Sequence, residues 1–329
     1  MTKLLEIRES LKNFYGKYEN FILPALKFIL ALVTFLIING KMGFMEKFAK
    51  FPIALVLALL CSFLPMNFIV IAAAVLCLLH VYALSLEAVA VVGIIFVVLF
   101  LLYFRFSPKD TLVVVLLPLA FSLKIPCSVT LAVGLLGTPM SAISTVCGVI
   151  VYYTLHFVVG LSKSNGIEIS EMATKFKSII DGIVGNKGML VAVIAFAATV
   201  LAVYFIRRMN IDHAWTIAMI VGALLNVLIL FVGDLALSTQ VPVLGTIVGT
   251  AIGFCVAVVI KFFAFNLDYA RTEKVQFEDD EYYYFVKAVP KVTLAASDKK
   301  VKRVRASENG SVKAAVRENA ARKEVRGKN

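Results

Sequence analysis

Apolar runs of two lengths alternate with short polar segments along this chain, and the lengths predict its elements. Full-length runs lie at about Phe21–Asn39, Leu86–Phe104, Ser141–Gly160, Met189–Ile206, Ala214–Val232 and Val243–Phe265. As helices rising 1.5 Å per residue, these reach across a hydrocarbon core about 30 Å thick. Two other apolar stretches are broken. Pro52–Leu84 is interrupted at Phe63-Leu64-Pro65-Met66-Asn67, and Leu112–Leu136 at Leu123-Lys124-Ile125-Pro126-Cys127-Ser128. Their leading pieces, Pro52–Leu64 and Thr111–Leu123, give only roughly 20 Å of helix each. Lipid cannot repair a backbone ladder broken by proline, so such turns belong inside protein. The pattern predicts two re-entrant hairpins whose turns meet within the bundle. The fold class is all-α: a polytopic membrane protein of about six spans plus two re-entrant hairpins, with a basic cytoplasmic tail.

The polar segments divide the rest. Residues 1–20 carry Leu4, Ile7, Leu11, Phe14 and Tyr18 at helical spacing among Lys3, Arg8, Lys12 and Lys17, which predicts an amphipathic helix in the headgroup layer. No short apolar core followed by small residues precedes the first span, so the reading is an uncleaved anchor. Residues 21–160 form the module with both hairpins. Residues 161–188 are an extracellular interfacial segment, with Met172, Phe176, Ile179, Ile180 and Ile183 on one helical face. Residues 189–265 are a three-span bundle, and 266–329 a cytoplasmic tail. The tail begins acidic and aromatic, with alternation that suits a short strand. Beyond about residue 295 its composition cannot bury a core and predicts disorder.

Composition fixes the class. Of 329 residues 60% are hydrophobic, and the mean hydropathy is +0.91, well above soluble domains. Of the net charge of +12, +9 lies between Lys287 and Asn329. The basic tail and Arg207-Arg208 place both termini in the cytoplasm by the positive-inside rule. Three lysines in 40–51 and four in 161–188 run against that assignment. On this topology each hairpin precedes a span, and the two modules are inverted relative to each other. Interrupted hydrophobic segments in corresponding halves point to a transporter's midplane site; two unrelated proline-broken stretches would look the same.

Few polar residues lie at depth. Lys124 either holds an anionic group, helped by the hairpin's helix ends, or snorkels to the interface. Pro65, Pro126 and Asn67 complete the two turns. Ser128, Thr130, Thr138, Ser141 and Ser144 make the second module hydroxyl-rich, and such groups line a path or join helices. Asn226 is expected to bond to a neighbouring helix. His80 and His156 lack neighbouring ligands, and the five cysteines form no metal-binding or disulfide pattern, so no metal and no cofactor are expected. Nucleotide-binding, nucleophile-elbow and zincin motifs are missing, as are paired catalytic carboxylates; nothing points to an enzyme. The basic tail lacks a nucleic-acid-binding fold, and anionic lipid is its expected partner.

The string EKVQFEDDEYYYFVKAVPK at residues 273–291 resembles an uncharacterised family of multi-pass membrane proteins from Gram-positive anaerobic bacteria. The resemblance extends through the membrane domain. It implies a bacterial plasma membrane and brings no activity with it. The architecture of opposed hairpins, each followed by a span, is similar to that of DedA/VTT-type lipid scramblases and transporters. That family's acidic and arginine motifs have no counterpart here, so the similarity is architectural. The leading expectation is transport or translocation of a small solute or lipid through the hairpins. The alternative is a non-transporting scaffold that recruits a cytoplasmic protein through Glu278, Asp279, Asp280, Glu281, Tyr282, Tyr283 and Tyr284.

Overall fold

In the computed structural model the described residues are 2–163, 172–239, 242–264, 273–278 and 283–288. Residues 7–266 form one compact unit, and residues 1–6 with 267–329 another. The helices of the first unit are α1 (Thr2–Lys41, which begins in the second), α2 (Phe51–Phe63), α3 (Asn67–Leu84), α4 (Leu86–Phe106), α5 (Thr111–Ser122), α6 (Pro126–Leu136), α7 (Ser141–Lys163), α8 (Met172–Val184), α9 (Lys187–Arg207), α10 (Ala214–Leu237) and α11 (Val243–Ala264). In the second unit, β1 (Glu273–Glu278) pairs antiparallel with β2 (Tyr283–Ala288), in register from Glu273↔Ala288 to Glu278↔Tyr283. The alternation read in the tail thus becomes a hairpin. Asp279, Asp280, Glu281 and Tyr282 lie outside the described residues, between its strands.

Local chemistry sets the boundaries. Pro52 opens α2, and Pro126 opens α6, at positions where the missing N–H costs nothing. Extended Leu64, forced by the proline after it, closes α2. Ser85 caps α4 by accepting from the Ala88 N–H at 3.1 Å, and Asn186 caps α9 through the Met189 N–H at 3.1 Å. Tyr18 has non-helical dihedrals inside α1. The helix therefore bends where the amphipathic segment gives way to the apolar run.

Among the described residues seven helices are long and apolar enough to cross a membrane. The sequence reading counts six. The additional one is α3, whose 18 residues make the return leg of the first hairpin full-length. Among the described residues the shorter apolar helices are α2, α5 and α6, at 13, 12 and 11 residues; the amphipathic α8 also has 13.

Side-chain bonds show which loops share an end of the bundle. At one end Ser62 donates to the Pro24 carbonyl, Tyr103 binds Asn67 and Thr111, Ser107 meets Ser144, and Arg8 donates to the Phe262 carbonyl. At the other end, buried His80 joins α3 to α1. Its Nδ1 accepts from the Met45 N–H at 3.2 Å, so its Nε2–H donates to Asn39 Oδ1 at 3.0 Å. Asn39 in turn donates to the Phe48 carbonyl, and α1, α3 and the connection to α2 are tied together. His80→Phe should cost about 1–3 kcal/mol by stranding Asn39 and Met45; a thermal unfolding midpoint equal to wild type would show that this tie is idle.

The core is mostly apolar, with Tyr103, Phe35, Phe196 and Leu131 among its largest buried side chains. The outer face is apolar too: Leu101 is 68% exposed and Leu235 88%. A soluble protein rarely exposes such a belt, whereas lipid tails cover it. Helix α8 forms within the segment read as helical; of the face read there, Ile179 and Ile183 are buried and Ile180 is exposed.

Candidate functional site

The second hairpin, α5–α6, is the least ordinary element. Its legs are roughly 18 and 17 Å long, and the residues about its turn meet α7 and α11. Phe121, at the end of α5, stacks on Tyr152 halfway along α7, with centroids 4.3 Å apart. The Lys124 carbonyl lies against Gly249, six residues into α11, or roughly 9 Å from the start of that helix.

The turn satisfies its own backbone, as that depth demands. The Leu123 N–H donates to Leu119, Lys124 to Phe121, Ile125 to Ala120 and Ser128 to Ile125. Lys124 closes the turn with φ of 62°, a left-handed conformation that strains a residue with a long side chain. Its side chain is exposed, as is Leu123 beside it. Ser128 donates to the Ile125 carbonyl at 2.7 Å, and Thr130 to Cys127 at 3.0 Å.

Two devices hold the hairpin. One is close packing: α6 lies on α11 where Gly249 and Gly253 leave room for backbone. The other is Arg207, whose Nη1 donates to the Leu135 carbonyl and whose Nη2 donates to Gly137 at 2.8 Å. This cation caps the carboxyl end of α6, where carbonyls lack helical partners. Its guanidinium also lies 5.3 Å from the Tyr204 ring and 5.7 Å from the Trp215 ring.

The turns read from the sequence do not share a partner. Asn67 accepts from Thr111 and Tyr103, at the base of the second hairpin, while Lys124 lies at its tip against α11. Pro65 and Thr138 are exposed, and Pro126 is half-buried. The Thr138 N–H donates to Ser141 Oγ at 3.0 Å within the turn. Ser144 is buried against Ser107. The Thr138–Ser141 bond thus stays within one turn, while Ser144 ties α7 to the end of α4. Asn226 also joins helices, donating to Thr199 Oγ1 on α9 at 3.4 Å.

None of those residues lines the cavity beside the hairpin. That cavity, of about 530 Å³, is enclosed by α1, α3, α4, α5 and α7. Val70, Ala74, Phe96, Leu99, Val115 and Leu155 are typical of its walls. Its floor is Tyr103, buried and bonded to Asn67 and Thr111. At the other end are Lys41, Ser122, Tyr152 and His156. Lys41 donates to Ser122 Oγ at 2.9 Å and stands 5.9 Å from the Tyr152 ring, on which His156 stacks. Lys41 and His156 are exposed, so this end opens outward.

Sequence reasoning passed over Arg207 as a loop charge and Lys41 as one lysine among three. The α11 contact was legible in Gly245, Gly249 and Gly253, a small residue every four positions in an apolar helix. Among the described residues no group of three or more His, Cys, Asp or Glu could hold a metal ion. No known protein family, no curated protein and no solved structure matches the chain.

Proposed function

We propose that this is an integral membrane protein that translocates a small solute or lipid at the α5–α6 hairpin, with both termini on the cytoplasmic face of a bacterial plasma membrane. The observation that carries the reading is a helical hairpin with legs of 12 and 11 residues, turned back at the level of the middle of α7. Non-helical backbone at such depth is tolerated where it is buried in protein or lines a wet cavity. On this reading α5–α6 is re-entrant. The α2–α3 turn reaches the end of the bundle at Pro24, since Ser62 donates to that carbonyl, and it serves as a base for the second hairpin. The inverted relation of the two modules is kept as part of the proposal, with unequal legs.

Access to the tip tests it. Cys127 is buried, so the probe is Leu123→Cys, at a position 62% exposed, in a chain without other cysteines. A membrane-impermeant thiol reagent should label it from both faces, in intact cells and in inside-out vesicles. Labelling from one face alone, or from neither while loop cysteines react, would exclude a path that opens to both sides.

A second reading rests on the β1–β2 hairpin. A two-stranded sheet can accept a third strand from a partner, and the connection at 279–282 carries three acidic residues. In this reading the tail recruits a cytoplasmic protein, and the basic end binds anionic lipid. Deleting residues 273–291 should then abolish co-purification of that protein, and an unchanged pull-down rejects the reading.

A further inference from the structure

We propose that the cavity between α1, α3, α4, α5 and α7 binds an acidic phospholipid, with one hydrocarbon chain inside and the phosphate at Lys41. The site borrows α5, up to Ser122 beside the turn, as one of its walls, and the inference stands whether or not the hairpin moves anything.

Size and lining come first. Packed interiors hold few voids larger than a water molecule, whereas 530 Å³ falls in the range of ligand pockets, about 300–1,000 Å³. The walls are apolar, and apolar cavities do not retain water. An occupant of this space must therefore be apolar along its length. The cavity follows α7 from Cys147 to Val159, or roughly 18 Å. One leaflet of a hydrocarbon core is about 15 Å deep, so a single acyl chain matches.

The polarity is one-sided. At the closed end Tyr103 has its hydroxyl occupied by Asn67, Thr111 and the Pro108 carbonyl, leaving a ring face for the chain. At the open end Lys41, Ser122, Tyr152 and His156 come from three helices. The Lys41 ammonium donates to a hydroxyl and faces a ring, and neither is anionic. An ammonium, a hydroxyl and an imidazole around the mouth of an apolar tube suit a phosphate with a chain attached. A charge-assisted bond to phosphate would exceed the present bond to Ser122 in strength.

Access is lateral. Helix α1 packs Ala31 and Phe35 into the core and bonds its neighbours at Pro24 (to Ser62), Lys27 (to Leu64), Asn39 (to His80) and Lys41 (to Ser122). Breaking the Lys41–Ser122 bond frees the mouth beside α7 without disturbing the other ties.

The test is native mass spectrometry of the full chain in detergent, with palmitoyl-oleoyl phosphatidylglycerol or the chain-matched phosphatidylcholine added. Wild type should retain phosphatidylglycerol about tenfold better, the factor one such bond confers. Lys41→Gln should erase that preference and leave phosphatidylcholine retention unchanged. Ala74→Phe and Leu155→Trp, which fill the cavity from two helices, should each abolish retention of both lipids; gel filtration shows whether each variant folds, and either suffices. Equal retention by a folded filled variant and wild type would put the lipid on the outer surface and overturn the proposal. So would retention of added oleate with neither phospholipid, which would make the occupant a free fatty acid, or wild type showing no preference between the head groups. Tip labelling is read separately, so either proposal can fail alone.

Discussion

Replacing Arg207 by leucine should lower stability by about 3–5 kcal/mol and detach the base of the second hairpin. The side chain donates to the carbonyls of Leu135 and Gly137 at the end of α6. Hydrogen bonds from a charged donor contribute about 1.5–3 kcal/mol each, and acceptors left bare at depth add to the loss. Leucine replaces the stem packing against Trp215 and nothing else. Lysine at 207 should recover part of the loss, since it keeps a cation at the helix end but cannot reach both carbonyls with a planar fork. The measurement is the apparent Tm of detergent-purified protein, with gel filtration before and after heating. A leucine variant as stable as wild type would mean that α6 is held by packing alone.

Gly253→Leu should cost about 3 kcal/mol or more, because the hairpin backbone occupies the space. A Cβ at Gly253 would lie 2.8 Å from the Ser128 nitrogen and 3.1 Å from the Cys127 carbonyl carbon, and one at Gly249 would overlap the Lys124 carbonyl oxygen. Overpacking against side chains costs about 1–3 kcal/mol; here the obstacle is backbone in a tight turn, which has less room to give. Gly245, four residues earlier, is the control. Its added Cβ meets only Pro242, at 3.6 Å, an ordinary contact. Gly245→Ala should be neutral or stabilising by up to about 1 kcal/mol through helix propensity. Opposite signs at two glycines of one helix would place the contact on the hairpin. Equal, small effects at 245 and 253 would remove it.

These two sites show what was readable and what was not. Length and hydropathy marked short legs at Thr111–Leu123 and Val129–Leu136, because a helix too short for a bilayer is visible in one dimension; the helices are Thr111–Ser122 and Pro126–Leu136. Prolines 52, 65 and 126 placed helix ends correctly, since a missing N–H and a fixed φ act locally. Lys124 was legible as a charge at a break. Its close approach to α11 was not, because that depends on Gly249 leaving room for the Lys124 carbonyl. The hydroxyls of Ser128, Thr130, Ser141 and Ser144 read equally as a path or as joints between helices, and they bond to nearby backbone or to a neighbouring segment. A hydroxyl can satisfy itself within one turn or across a gap, and composition does not distinguish the two. Pro65 divides the first hairpin into a short leading leg and a return that runs to Leu84, as the apolar run indicates. Its second leg, Asn67–Leu84, is a full 18-residue helix that ends beside Asn39, with His80 as the link.

By itself, the sequence determined the chemistry of the solvent around this protein. It also determined the positions of most helix ends and the separation of a membrane-facing body from a charged tail, because run length, proline and net charge act through neighbours in the chain. The tertiary structure alone decided which turn reaches which level, that Arg207 caps α6 from 70 residues away in sequence, and that five helices stand apart around an apolar cavity with Lys41 at its mouth. Those outcomes depend on which faces meet, and helix–helix contact in an apolar chain is chosen by side-chain shape and a few long-range polar bonds, neither of which leaves a period in the sequence.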